Sequence, residues 1–182
     1  MHPASPGGSG TWSASVRASN LPLILAGAVL AHNLEEAVML ATYPGVLQWP
    51  IRLGLLDYMP ALATIRWGII AFAIVPVAIL LRAWARPTRR LMFVTAMIGA
   101  MTAFNAIMPH GVAAILSGGY VPGLVTAIAL TLPAGALTLW RSASARELGG
   151  AATAFAGLIG VLLLPLVLLG FWALNELVVS LA

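Results

Sequence analysis

The 182-residue chain has no cysteine, no lysine and only five acidic side chains. Without cysteine there are no disulfides, no thiolate metal ligands and no cysteine nucleophile. Redox chemistry therefore says nothing of its compartment. Charged residues make up 8% of the chain, against about 25% in soluble domains. With 61% hydrophobic residues and a mean hydropathy of +1.00, this scarcity excludes a water-soluble globular fold and makes lipid the solvent. All nine basic residues are arginines. The formal charge of +4 is not a nucleic-acid footprint, and no nucleic-acid partner is expected. The arginines gather beside apolar runs, where they set topology.

Residues 1–20 are rich in Gly, Ser, Ala and Pro and lack apolar periodicity. They read as a flexible tail in which His2 carries no role. Five apolar segments follow, near 21–41, 61–82, 91–116, 121–140 and 152–178. Each has about the 20 residues needed to cross a bilayer. The expected fold is all-α, a single polytopic transmembrane bundle of about five spans over 21–182.

Arg82, Arg86, Arg89 and Arg90 follow the second segment, and Arg141 and Arg146 follow the fourth. The positive-inside rule makes both loops cytoplasmic. Arg17 agrees, and the N-terminus is expected in the cytoplasm. The opposite face has Arg52 and Asp57. Tyr43, Trp49, Tyr58 and Tyr120 mark the outer interface, and Trp84 and Trp140 the inner one. The expected location is a bacterial-type inner membrane. Leu21 to Ala31 also resembles the apolar core of a signal peptide. The run continues to Ala41 and only one basic residue precedes it, which favours a span.

Within the first span lies His32-Asn33-Leu34-Glu35-Glu36. A carboxylate at the centre of a membrane helix costs roughly 2.5–3.5 kcal/mol. On a helix Glu35 lies about 60° to one side of His32 and Glu36 about 40° to the other. All three share a face, which Leu25, Ala28, Val29 and Met39 continue. That stripe must look into the bundle. A histidine and glutamates at these spacings suit a metal site in a helical bundle. Two carboxylates this close in a dry site need a cation, or one keeps its proton. A purely structural His–Glu pair holding helices together is the plainer alternative.

The third span carries Asn105-Ala106-Ile107-Met108-Pro109-His110. On an ideal helix Asn105 and His110 point about 140° apart. Pro109 clashes with the Asn105 carbonyl and removes a hydrogen bond. A kink there would turn His110 inward, where it could meet the first span. Tyr120-Val121-Pro122-Gly123 reads as a tight reversal between spans three and four. Its tyrosine is either an interfacial anchor or a hydroxyl leaning over the site.

His32-x-x-Glu35-Glu36, then Asn105 and His110, then Tyr120-x-Pro122-Gly123 occur in that order. Together they resemble the HXXEE-motif family of small integral membrane proteins, over about residues 30–140. The resemblance implies a polytopic membrane protein with a polar constellation and carries no settled activity or substrate.

Among the other polar residues, Arg66 in the second span reads as a snorkelling side chain, with pairing to Asp57 or the site as the alternative. Asn175 and Glu176 close the fifth span and reach toward water. Pro76, Pro133 and Pro165 are expected to kink their spans.

The leading expectation is an intramembrane metal-dependent enzyme. His32, His110 and Glu36 would ligate Zn(II) or Fe(II). Glu35, Glu36 and Tyr120 are the candidate catalytic groups, with Asn105 and Arg66 as supporting or substrate-binding residues. Zinc chemistry would be hydrolytic, with a glutamate as general base. Iron chemistry would be oxidative. The substrate should be apolar or lipid-linked and arrive from the membrane. Other classes are a metal-free acid catalyst cyclising or isomerising an isoprenoid, a proton-coupled transporter and a bis-histidine haem protein. The absence of an internal repeat weighs against transport, and the adjacent carboxylates weigh against haem.

Overall fold

The computed structural model describes residues 20–43, 51, 54, 57–59, 61–145 and 148–181. His2, Arg17, Trp49, Arg52, Arg146 and Glu147 lie outside them, as does the side chain of Asn175. Among the described residues the chain is all-helical, and five helices are long and apolar enough to cross a membrane. They are α1 (Leu21–Thr42), α2 (Leu62–Ala85), α3 (Arg89–Ser117), α4 (Leu124–Ser144) and α5 (Gly149–Leu181).

Local chemistry sets most of these boundaries. Pro22 occupies the first turn of α1, where a missing N–H costs nothing. Pro87 follows α2 and stops it. Thr88 then caps α3, its hydroxyl accepting from the Leu91 N–H at 3.2 Å. Gly118 ends α3 at φ 69°. The fourth span, expected from residue 121, begins at Leu124. Val121, Pro122 and Gly123 belong to a turn instead, with Gly123 at φ 83°.

The helices alternate in direction. One end of the bundle carries Arg82, Arg86, Arg89, Arg90 and Arg141, with Trp84 and Trp140 exposed beside them. The other end carries Tyr43, Tyr58 and Tyr120. There Tyr43 meets Tyr120 edge-on at 5.7 Å, and Tyr58 meets Trp172 at 5.8 Å.

α3 packs most extensively against α5 and α4, and α1 against α2. Glycine allows the close approaches. A Cβ on Gly135 would run into the Gly99 carbonyl, and one on Gly160 into the Met97 carbonyl. In lipid such contacts are a main source of helix association. Leu25, Ala28, Leu80 and Ile98 form the core between α1, α2 and α3. Ile24, Leu30, Leu34 and Val38 look outward from α1. The buried hydroxyls of Thr95, Thr102, Thr131, Thr138 and Thr153 return to carbonyls of their own helices, so these hydroxyls are not left bare in hydrocarbon.

Two helices are locally widened. In α3 the wide turn covers Ala106–Gly111, with Met108 out of helical conformation at φ −133°, ψ 113°. Pro109 follows directly, through a cis peptide bond. In α4 it covers Ala127–Thr131, just ahead of Pro133, which cannot donate to the Ala129 carbonyl. The stretch in α4 packs against α1, the one in α3 brings His110 against His32, and backbone of this kind is tolerated in a membrane when buried in protein.

Candidate metal centre

The break in α3 does what the proline arithmetic anticipates. Continuous helix would leave His110 pointing away from Asn105. With Met108 extended, His110 turns into the bundle and is 4% exposed. His32, halfway along α1, is also 4% exposed. The two rings meet edge to face, centroids 4.7 Å apart.

Glu36, one turn after His32, brings a carboxylate oxygen to 3.8 Å from His32 Nε2. One donor atom from each of His32, Glu36 and His110 lies within 4.8 Å of the others. This is the only group of three or more His, Cys, Asp or Glu side chains so arranged among the described residues. Bonds of about 2.0–2.2 Å to a shared ion place ligand atoms about 3.4 Å apart at the tetrahedral angle, so the three groups would have to draw inward from spacings of up to 4.8 Å.

The turn after α3 orients both rings. The Gly123 carbonyl accepts from His32 Nδ1 at 3.1 Å, and the Pro122 carbonyl is the hydrogen-bond partner of His110. A carbonyl oxygen can only accept, so in neutral His32 the proton sits on Nδ1. Nε2 is then left with its lone pair facing Glu36. Ligating histidines are oriented in this way, by a carbonyl on the other ring nitrogen. Asn105 Nδ2 lies 3.0 Å from the same Nε2 and donates to it.

Gly123 is required twice over. Its φ of 83° suits glycine alone. A Cβ there would lie 2.9 Å from Cε1 of both His110 and His32, and 3.3 Å from the Glu36 Cβ. The turn backbone is therefore seated directly on the two rings.

Glu35 faces elsewhere. Its Oε1 accepts from the Tyr120 hydroxyl at 2.7 Å. Its Oε2 accepts from the Thr126 N–H at 2.8 Å and the Thr126 hydroxyl at 2.5 Å. Thr126 N–H belongs to the first turn of α4, where backbone donors lack intrahelical partners and negative charge is favoured. Glu35 thus ties α1 to both ends of the turn that carries Pro122 and Gly123. The Thr126 hydroxyl also lies 3.3 Å from His32 Nδ1, linking carboxylate, hydroxyl and imidazole in one chain. Burial, and then the Glu35 carboxylate, push the Tyr120 phenol up to about 12. The phenol stays a donor throughout the physiological range.

The candidates from sequence therefore separate into three groups. His32, Glu36 and His110 converge, and Asn105 joins them. Glu35 and Tyr120 are bonded to each other beside that cluster. Arg66 is exposed in the second turn of α2 and makes no hydrogen bond or ion pair with any described residue, Asp57 included. Glu176 is likewise exposed, with no such link to the site. Thr126 escaped sequence reasoning. A threonine three residues past a glycine is ordinary at a helix start, and its partner Glu35 lies 91 residues away.

Residues 23–138 match the family described as "Protein of unknown function with HXXEE motif". No curated protein and no solved structure matches the chain. The match takes in α1 to α4 and every residue of the cluster, and this chain belongs to the HXXEE-motif family.

Proposed function

We propose that this protein is an intramembrane metal-dependent hydrolase acting on an apolar, lipid-borne substrate. The convergence of His32, Glu36 and His110, with donor atoms within 4.8 Å of one another, carries the reading. Two imidazoles and one carboxylate are the donor set of several catalytic zinc sites and of non-haem iron sites, both of which keep positions open for substrate or water. A divalent ion there would supply Lewis acidity and bring the pKa of a bound water to about 7.

The protein's own groups would do the rest. His32 and Glu36 come from one face of α1, and His110 from the break in α3. Glu36 makes no hydrogen bond among the described residues, so its second carboxylate oxygen is free to take a proton from water. Water then adds to the acyl carbon of the substrate, the bond to the leaving oxygen breaks, and the proton ends on that oxygen. Glu35, Tyr120 and Thr126 hold the turn that orients both imidazoles.

The surrounding helix faces support an apolar substrate. Leu34 and Val38 on α1, Ile107 and Met108 on α3, and Val125 and Ile128 on α4 are all exposed. A soluble polar substrate would meet no polar approach among them. Glu36 lies six residues before the end of α1, about 9 Å of helix below the tyrosine-bearing end. If the arginine-bearing end is cytoplasmic, the site serves the outer leaflet of a bacterial-type inner membrane.

One observation favours a second reading, Fe(II)-dependent oxidation. Both oxygens of Glu35, the spare carboxylate that could serve as a dedicated base, are occupied by Tyr120 and Thr126. The deciding experiment is metal analysis of the detergent-purified protein, beside His32→Ala, Glu36→Ala and His110→Ala. Near-stoichiometric zinc lost in all three variants supports the hydrolase, and iron supports the oxidase. No metal in the wild type, purified without chelator, overturns both and leaves acid–base catalysis or proton-coupled transport.

A further inference from the structure

The amide of Asn105 occupies the place where a ligand to the proposed ion belongs. Its Nδ2 lies 3.0 Å from His32 Nε2, on the lone pair that the Gly123 carbonyl leaves available by holding the Nδ1 proton. An ion bound through His32 must take that lone pair, and the N–H of Asn105 cannot stay on it. We propose that Asn105 is a fourth ligand: its amide turns over by a half rotation, and its carbonyl oxygen binds the same ion as His32, Glu36 and His110. The inference rests on the metal site proposed above.

Distances support this. Two ligand atoms, each about 2.1 Å from an ion, are about 3.0 Å apart at a right angle and about 3.4 Å apart at the tetrahedral angle. The amide atom nearest His32 stands at 3.0 Å already, so the half rotation puts an oxygen at ligand spacing without moving the backbone. Without an ion the rotated amide is unfavourable, because its oxygen and Nε2 would face each other with lone pairs only. With an ion between them, both become donors to the metal. The amide then acts as a two-position device. Its nitrogen side satisfies the buried imidazole, and its oxygen side would complete the coordination of a bound ion. The position of Asn105 fits that use, since it ends the regular part of α3 immediately before the widened turn that delivers His110.

A simple hydrogen-bonding role predicts the opposite sign. If Asn105 only donates to His32, it competes with the ion, and its removal should tighten metal binding. Zn(II) affinity of metal-stripped wild type, Asn105→Ala and Asn105→Asp, measured in detergent by competition with a chromophoric chelator, separates the two. The ligand role requires Asn105→Ala to bind at least tenfold more weakly. It requires Asn105→Asp, which retains a ligand oxygen, to bind within tenfold of wild type or more tightly. Equal or tighter binding by Asn105→Ala overturns the proposal while leaving the three-residue site intact. No zinc binding by the wild type overturns the site itself. Should Asn105→Ala fail to fold, Asn105→Leu, which keeps the volume of the amide but offers neither donor nor ligand, takes its place. Its melting temperature must rise less on adding Zn(II) than that of the wild type, and an equal or larger rise refutes the ligand role.

Discussion

The seating of Gly123 on the two histidine rings gives the sharpest test of the site. In Gly123→Ala the residue must hold φ 83°, which costs an L-residue roughly 1–2 kcal/mol. Its methyl would lie 2.9 Å from Cε1 of both rings, well inside ordinary contact. Forcing that much volume into a packed site costs about 1–3 kcal/mol, less about 0.4–1 kcal/mol for the stiffer unfolded chain. The net loss is roughly 1–4.5 kcal/mol. Two glycines in the same turn isolate the contributions. Gly118→Ala carries the conformational cost alone, since φ is +69° and nothing lies within 4 Å of its Cβ. Gly119→Ala carries neither cost. Thermal melting in one detergent should therefore rank Gly119→Ala level with wild type, Gly118→Ala lower by about 1 kcal/mol, and Gly123→Ala lowest. Metal content should fall in Gly123→Ala alone, because the rings are displaced by more than the ~0.2 Å that ligand bonds tolerate. Gly123→Ala melting with Gly118→Ala and binding metal like the wild type would refute the seated turn.

The two glutamates should respond oppositely. Glu35→Gln loses charge-assisted bonds to Tyr120 and Thr126 and should destabilise by about 1–3 kcal/mol while weakening metal binding far less than Glu36→Gln. Glu36→Gln should lose the metal and melt near the metal-stripped wild type, so a reversed pattern would exchange their roles. Thr126→Val should lower both melting temperature and metal affinity, the latter by about 10–100-fold as for other groups that orient a ligand. Thr126→Ser, which keeps the hydroxyl, should restore both, and failure of that rescue would tie the effect to shape alone. Ultraviolet titration should show a tyrosinate component at about pH 12 that Tyr120→Phe lacks. Because the folded value lies above the ordinary 10, the stabilising Tyr120–Glu35 bond is complete below pH 10 and is lost as pH rises through 12.

Much of the bundle was legible because lipid imposes one rule along the whole chain. Every long apolar run became a helix, and the expected boundaries fall within a few residues of α1 to α5. The exception is instructive. Val121 and Pro122 are apolar and extend the fourth run, yet Tyr120-Val121-Pro122-Gly123 also reads as a reversal, and the αL glycine keeps them in that turn. The face of α1 could also be read, since Leu25, Ala28 and Val29 line up with His32 and are buried. Angular arithmetic even holds the division of labour, because Glu35 and Glu36 fall on opposite sides of His32. It does not say which side meets the turn, since that depends on where α4 packs. The inward path of His110 could be inferred from Pro109, but the angle of a broken helix cannot be computed from its sequence. The contacts of Asn105 with His32 and of Thr126 with Glu35 join positions 73 and 91 residues apart. No local pattern encodes such pairs.

The paired glutamates make physical sense only as unequal partners. Unsatisfied charge in a low-dielectric interior costs several kcal/mol per ion, so two adjacent carboxylates in one span need two separate remedies. Glu35 has its remedy within the chain, in three hydrogen bonds from Tyr120 and Thr126. Glu36 has none among the described residues. Beside it the His32 ring aims its Nδ1 proton at the Gly123 carbonyl, so Nε2, 3.8 Å from the Glu36 carboxylate, carries a lone pair and no N–H. Lone pairs cannot stabilise a carboxylate directly. A proton kept on Glu36 would remove the charge, whereas the cation proposed above would give Glu36 a counter-charge and the two imidazoles a common partner. The bonds that fix Glu35 hold the turn, the turn fixes the His32 tautomer, and that tautomer leaves Glu36 to a proton or to the proposed ion. On that logic the first glutamate of the motif builds the site and the second uses it.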